Sequence, residues 1–179
     1  TLDPAFSVSL NGAVWAMATS GTRVWIGGSF TSVGASPRLR LAALDAATGT
    51  LDTMFVPSVE GGSSPSVCAL AVSGTTVHFG GSFATANSAA HANLGAVDLT
   101  TGSTVAGFTG TADGRVNALI ADGTSLFAAG EFTNIGGASR TAVSRLAAAT
   151  GLADSAFTAS SDGSVSAIAL SGTTLFVGC

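Results

Sequence analysis

Charge is the scarcest property of this chain. Only 9% of its 179 residues are Asp, Glu, Lys or Arg, against about 25% in an ordinary soluble domain. Lysine is absent, so all six basic residues are arginines, scattered from Arg23 to Arg145. The net charge is −4, and no basic cluster supplies the several phosphate contacts that nucleic acid demands. An anionic membrane surface is disfavoured on the same ground. Tyrosine and glutamine are also missing, and a chain without tyrosine has little material for the aromatic girdles of a transmembrane barrel. No apolar run approaches the ~20 residues of a spanning helix; the longest, such as Val67 to Val72, are of strand length. Membrane insertion is therefore not expected. Two cysteines, Cys68 and Cys179, are too few for a disulfide framework and lack the CxxC or Cys/His spacing of a zinc site. No signal peptide is visible and Thr1 is not an initiator Met, so the chain reads as a mature or excised segment.

What remains is apolar and small. Hydrophobic residues make up 46% and glycines number 24, a composition suited to sheets joined by uncharged turns. Sliding the chain against itself reveals a repeat. Val14-Trp-Ala-Met-Ala, Val67-Cys-Ala-Leu-Ala, Val116-Asn-Ala-Leu-Ile and Val165-Ser-Ala-Ile-Ala are equivalent, at spacings of 53, 49 and 49 residues. Each leads to a Gly-Thr pair at Gly21, Gly74, Gly123 and Gly172. A second apolar run follows: Val24-Trp-Ile-Gly-Gly, Val77-His-Phe-Gly-Gly, Leu126-Phe-Ala-Ala-Gly and Leu175-Phe-Val-Gly-Cys. Phe30, Phe83 and Phe132 come next, then a third run ending at Asp45, Asp98 and Ala147 and a Thr-Gly pair. Phe6, Phe55, Phe108 and Phe157 close the pattern. The longer first spacing arises from four extra residues within Glu60-Gly-Gly-Ser-Ser-Pro, an insertion that a surface loop tolerates.

Four short runs per unit, separated by turn residues, predict four antiparallel strands. In the second unit these are Val67–Val72, Thr76–Gly80, Asn93–Leu99 and Thr104–Phe108. That arithmetic predicts an all-β fold, a β-propeller of four-stranded blades of about 50 residues. The whole chain 1–179 is then one repeat array: 1–13 the last strand of a preceding blade with its linker, 14–66, 67–115 and 116–164 three blades, and 165–179 the first two strands of another. Fifteen strands form a partial propeller. The chain reads as a fragment of a longer repeat protein; the alternative is that it closes by association with other copies. The recurring phenylalanines are expected in the core.

The consensus Val-x-Ala-Leu-Ala, Gly-Thr-x-Val-Phe-x-Gly-Gly-x-Phe-Thr, Leu-Asp-x-x-Thr-Gly resembles the delta-sixty repeat, and is also similar to the propeller repeats of a fungal cortical polarity marker. The resemblance covers essentially the whole chain. It implies a module of a large secreted or cell-surface protein, mostly bacterial, without an assigned chemistry. The expected role is a non-catalytic extracellular module, structural, adhesive or engaged in protein interaction or self-assembly. A lectin-like, glycan-binding module is the alternative, and an enzyme the weakest reading.

Candidate site residues are few. Arg38, His91 and Arg140 are equivalent and each precedes a third strand, so a cationic position repeats at one end of the blades. Such a ring would recognise carboxylates, sulfates or sugars; the competing use is hydrogen bonding to loop carbonyls or pairing with a nearby Asp. His78 shares its place with Trp25, Phe127 and Phe176 and reads as a packing residue. Asp45 and Asp98 read as caps of the turns that follow them. Asp113-Gly, Asp122-Gly and Asp162-Gly are turn dipeptides, not a calcium loop. No nucleophile elbow, paired carboxylates or phosphate loop occurs, so no catalytic residue, cofactor or metal is expected. Cys68 and Cys179 would stand two blades apart, too far for a disulfide.

Overall fold

The computed structural model describes residues 5–179. Among them no helix forms, and the chain is all-β. The strands are β1 (Val14–Ser20), β2 (Arg23–Gly28), β3 (Ser32–Val33), β4 (Ser36–Pro37), β5 (Leu41–Asp45), β6 (Val59–Glu60), β7 (Ser66–Ser73), β8 (Thr76–Ser82) and β9 (Thr85–Ala86). They continue with β10 (Ala89–Ala90), β11 (Leu94–Asp98), β12 (Val116–Asp122), β13 (Ser125–Gly130), β14 (Asn134–Ile135), β15 (Ala138–Ser139), β16 (Val143–Ala147), β17 (Ala167–Ser171) and β18 (Thr174–Gly178).

Three antiparallel sheets, β1-β2-β5, β7-β8-β11 and β12-β13-β16, repeat one plan, and a two-stranded sheet β17-β18 follows. The first hairpin of every sheet turns on the Gly-Thr pair. Ser20 faces Arg23 across the first turn, and Ser73 faces Thr76 across the second. Gly21, Gly74, Gly123 and Gly172 all adopt φ between 56° and 59°, the left-handed first position of a two-residue turn that suits the twist of a hairpin. A bulge interrupts the first three hairpins just after Val14, Val67 and Val116. There the last glycine of each motif meets backbone: a Cβ on Gly28, Gly81 or Gly130 would lie 2.0 Å from the carbonyl oxygen of Ala13, Ser66 or Arg115. The Gly-Gly signature is thus a bulge requirement.

The expected fourth strand is reduced to single bridges, Leu44 to Leu51, Val97 to Thr104 and Leu146 to Ala153. In the first unit the ladder consists of Asp45 N–H to Thr50 O and Asp52 N–H to Ala43 O, both 2.8 Å. The Asp52 carboxylate then accepts the N–H of Met54 and turns the chain, which buries Phe55. Asp154 does the same with Ala156, and Gly107 turns the equivalent segment at φ 87°. These segments leave the sheet because their phenylalanines are needed between sheets.

The small hairpins β3-β4, β9-β10 and β14-β15 were not expected from the apolar pattern. Their signal was in the turns: Asn87-Ser88 and Gly136-Gly137 take positive φ at both central positions, as a type I′ turn requires. Glycines and serines of the insertion, 61–64, are exposed.

The core lies between successive sheets. Trp25, Leu41, Ala43 and Phe55 pack with Val67 and Leu70 at the first junction. At the second, Ala69, Ala71 and Phe108 pack with Val116 and Leu119. Ala129, Val143 and Phe157 meet Val165 and Ile168 at the third. First strands therefore neighbour one another in the order β1, β7, β12, β17. The array forms no closed ring among the described residues: Trp15 and Met17 on β1 are 61% and 69% exposed, and Phe176 on β18 is 57% exposed. The last strand expected within residues 1–13 includes residues 1–4, which lie outside the described residues. Phe30, Phe55, Phe83, Phe108 and Phe132 are buried, whereas Phe6 is exposed and Phe157 half-buried.

Candidate functional site

The repeated cationic position is built by backbone. Arg38, His91 and Arg140 donate their N–H groups to the carbonyls of Thr31, Ala84 and Thr133, at 3.0 Å in each case. The arginine side chains then turn onto their own units. Arg38 Nη1 donates to Pro37 O at 2.7 Å and Nη2 reaches Asp52 O at 3.5 Å. Arg140 Nη1 and Nη2 repeat this with Ser139 O and Asp154 O at 2.9 and 3.3 Å. Burial pushes the His91 imidazole below its ordinary pKa, which favours its neutral form. Arg38 Nε, His91 Nδ1 and Arg140 Nε are buried without partners. Both guanidinium groups are thus engaged with loop carbonyls.

Two residues further on lies a second repeated position, with left-handed backbone. Arg40, Asn93 and Ala142 have φ of 69°, 60° and 62°. Their N–H groups bond to Phe30, Phe83 and Phe132, while their carbonyls accept from Gly28, Gly81 and Gly130. Two of the three side chains strap the loop at the next junction: Arg40 Nη1 to Val59 O at 2.8 Å and Asn93 Nδ2 to Ala112 O at 3.0 Å. Asn93 Oδ1 also accepts the Phe83 N–H at 3.1 Å.

An open cleft of about 610 Å³ lies where three sheets meet. Ser29, Ser82 and Glu131 reach it from equivalent places after Gly28, Gly81 and Gly130, Ser66 and Arg115 from the starts of the first strands, and Trp15 from β1. Asn93 and Asp113 complete it. Asp113 is held firmly: its Oδ1 accepts the N–H groups of Thr133 and Asn134 at 2.8 and 2.9 Å, and its Oδ2 accepts the Thr133 hydroxyl and Asn134 amide at 2.7 and 2.8 Å. Desolvation opposes ionisation there, but these bonds outweigh it and keep the carboxyl well below the usual carboxylate range. Arg115 Nη2 lies 3.2 Å from Cys68 Sγ. The lining brings together one indole, several hydroxyls, two carboxylates and a single guanidinium. That set can hydrogen-bond a neutral polyol and stack a sugar face, but offers no cradle for phosphate.

No histidine lines the cleft, nor do Arg38 and Arg140. Sequence reading took Asp113 for a turn residue and left Trp15, Arg115 and Glu131 unremarked as a group. Their shared signal was positional, since each abuts a bulge. Elsewhere the turn caps are as expected: Asp45 Oδ1 accepts from the Thr48 hydroxyl and from the Thr48 and Ala47 N–H groups, and Asp98 repeats this with Thr101 and Thr100. Both carboxyls are held below their ordinary pKa by these bonds. His78 is buried against Phe108, ring centroids 5.6 Å apart, and burial pushes its pKa down to about 4. Cys68 and Cys179 are free thiols. Among the described residues, no three His, Cys, Asp or Glu side chains converge as a metal site requires, and no helix is long and apolar enough to cross a membrane.

No protein-family model matches the chain, and no curated protein matches it. Solved structures do. The chain is similar to the computationally designed Ika4 protein, with a TM-score of 0.64 at 17% identity over 99% of this chain and 92% of that one. It is also similar to the computationally designed Ika8 protein, with a TM-score of 0.55 at 15% identity over 93% of this chain and 55% of that one. At such identities the likeness is one of fold alone.

Proposed function

We propose that the chain is a segment of a β-propeller serving as a non-catalytic structural and protein-interaction module outside the cell or at its surface. The observation that carries this reading is the convergence of three units on one cleft: Trp15, Ser66 and Arg115 belong to consecutive first strands or their approaches, yet line the same space. First strands that neighbour one another in chain order fit the inner strands of successive propeller blades. The extracellular setting rests on the resemblance of the repeat consensus to the delta-sixty repeat. A cleft without histidine or a nucleophile–base pair favours binding over catalysis.

Spin labels test the architecture. With Cys68 and Cys179 changed to Ser, a label pair at Trp15→Cys and Asn117→Cys is compared with one at Thr50→Cys and Leu152→Cys. Around a common axis the inner pair is shorter by ~15 Å or more, the width of a blade at ~4.8 Å per strand spacing. Equal separations would mean a parallel stack and end the propeller reading.

A second reading, glycan binding, is favoured by one observation: Trp15 is exposed beside Ser29, Ser82, Asp113 and Glu131. Binding on a glycan panel that Trp15→Ala abolishes would put this reading first; no binding leaves the interaction module.

A further inference from the structure

We propose that the pocket beside His78, between the second and third units, binds small neutral heteroaromatic molecules carrying a hydrogen-bond donor, the class of indole. This goes beyond the proposed function. Two adjacent sheets form the pocket, neither wall lies at an end of the chain, and the arrangement of the other units does not enter.

The first junction shows what fills this place one unit earlier. Arg23 reaches across it, with Nη1 3.3 Å from the Leu99 carbonyl oxygen and Nη2 paired with Asp52 at 2.8 Å. Trp25 is fully buried there, and Leu99 packs against the same cluster. At the second junction all three side chains shrink: Thr76 stands in the place of Arg23, His78 in that of Trp25 and Ala148 in that of Leu99. The backbone meanwhile repeats. Leu99 N–H bonds to Thr75 O and Ala148 N–H to Thr124 O, both at 2.8 Å. With the frame kept and the side chains shorter, a pocket of about 280 Å³ opens onto Thr75, Thr76, His78, Thr124 and Ala148. Ser73 Oγ donates to Gly123 O at 3.2 Å, which ties together the two hairpin turns that border the pocket.

Volume, charge and polarity set the class of occupant. The volume lies just below the ~300 Å³ at which pockets for drug-sized ligands begin, so the molecule is small. Among the described residues lining the pocket none is charged, and Val105 stands where Asp52 pairs with Arg23. A cation would find no counterion, so the occupant is neutral. Hydroxyls alternate with alanine methyls and one imidazole along the walls, which suits a flat ring with a single polar edge. His78 is 1% exposed and its Nδ1 is buried without a hydrogen-bond partner, so this wall holds polar capacity that the fold itself leaves unmet. Indole would return to the second junction the ring that Trp25 supplies to the first.

The test is titration of the isotope-labelled 179-residue chain with indole at neutral pH, followed by amide chemical shifts. Saturable shifts at Thr75, Thr76 and Thr124 are expected, with a dissociation constant of ~1 mM or tighter. Ala148→Leu and His78→Trp each restore a side chain that the first junction accommodates, and each should weaken binding about tenfold or more. A urea transition establishes that a variant is folded before it is titrated; if one does not fold, the other carries the test. Benzamidine, a cationic ring of similar size, should bind about tenfold more weakly than indole or worse. No saturable shift within the solubility of indole, shifts confined to other residues such as those of the Trp15 cleft, or affinity unchanged in the folded variants would overturn the site. Benzamidine binding as tightly as indole would overturn the neutral class. None of these outcomes bears on the label distances that decide the propeller reading.

Discussion

Gly80 sits where two opposing physical effects make predictions of opposite sign. Glycine inside a strand is a poor choice by intrinsic preference, so Gly80→Ala should by itself stabilise β8 by about 0.5–1 kcal/mol. The junction says otherwise. A Cβ at Gly80 would lie 2.5 Å from Val116 Cγ1 and 2.8 Å from Val116 Cβ, both inside any tolerated carbon–carbon contact. Val116 is fully buried and its Cβ cannot rotate away, so the sheets must separate. Overpacking of this kind costs about 1–3 kcal/mol. Because Ala129 already shares a cluster with Val165 at the third junction, a junction can adapt to one methyl, and a net loss of about 1–2 kcal/mol is expected. Val116→Ala alone should cost a similar amount, from two buried methyl groups at ~0.8 kcal/mol each. In the double variant the new methyl enters the space that Val116 vacated, so the combined loss should fall short of the sum by about 1 kcal/mol. Urea titration followed by the fluorescence of Trp25, which is buried at the first junction, reads these values as midpoint shifts at constant slope. Gly178→Ala is the control, since the same repeat position is open there, and should be neutral or slightly stabilising. A stabilising Gly80→Ala, or strict additivity with Val116→Ala, would refute the valine-on-glycine account of the junction.

Three further outcomes follow from the hydrogen bonds and burial. His78 has a folded pKa near 4 against 6.5 unfolded, so the unfolded chain binds the extra proton; its neutral state contributes fully above pH 6.5, and about 3 kcal/mol is lost as pH falls from 6.5 towards 4. His78→Phe, matching Phe127 and Phe176, should flatten much of the stability–pH profile in that window, and an unchanged slope would contradict it. Asn93→Ala should cost about 2–3 kcal/mol, from two hydrogen bonds and the strain of alanine at positive φ. Asn93→Gly, free of that strain, should cost about 1 kcal/mol less; equal losses in chemical denaturation would remove the backbone argument. Asp113→Ala releases four donors at the rim of the cleft and should cost about 1–2 kcal/mol, seen as a lower midpoint of thermal unfolding, while Trp15→Ala should leave that midpoint within about 0.5 kcal/mol because the ring is exposed.

The sequence by itself determined the units. Its period placed all the long strands, because a valine, a Gly-Thr turn and a Gly-Gly pair act locally, through φ and through the bulge within one hairpin. It also placed the turn caps at Asp45 and Asp98, whose partners lie two and three residues away. It overstated the fourth strand: Thr104–Phe108 reads as strand, but Thr104 makes a single bridge to Val97 and Gly107 turns the chain so that Phe108 enters the junction. Tertiary structure decided everything that depends on which units touch. The spacing of Arg38 and Arg140 fits either a cationic ring or bonds to loop carbonyls, and only packing shows their guanidinium groups on nearby carbonyls. Trp15, Ser66, Asp113 and Glu131 are scattered over 117 positions of chain, and no local pattern joins them; the convergence of first strands does. The exposed ends are likewise invisible in sequence, since Met17 and Leu70 read alike and differ only in whether a sheet lies over them.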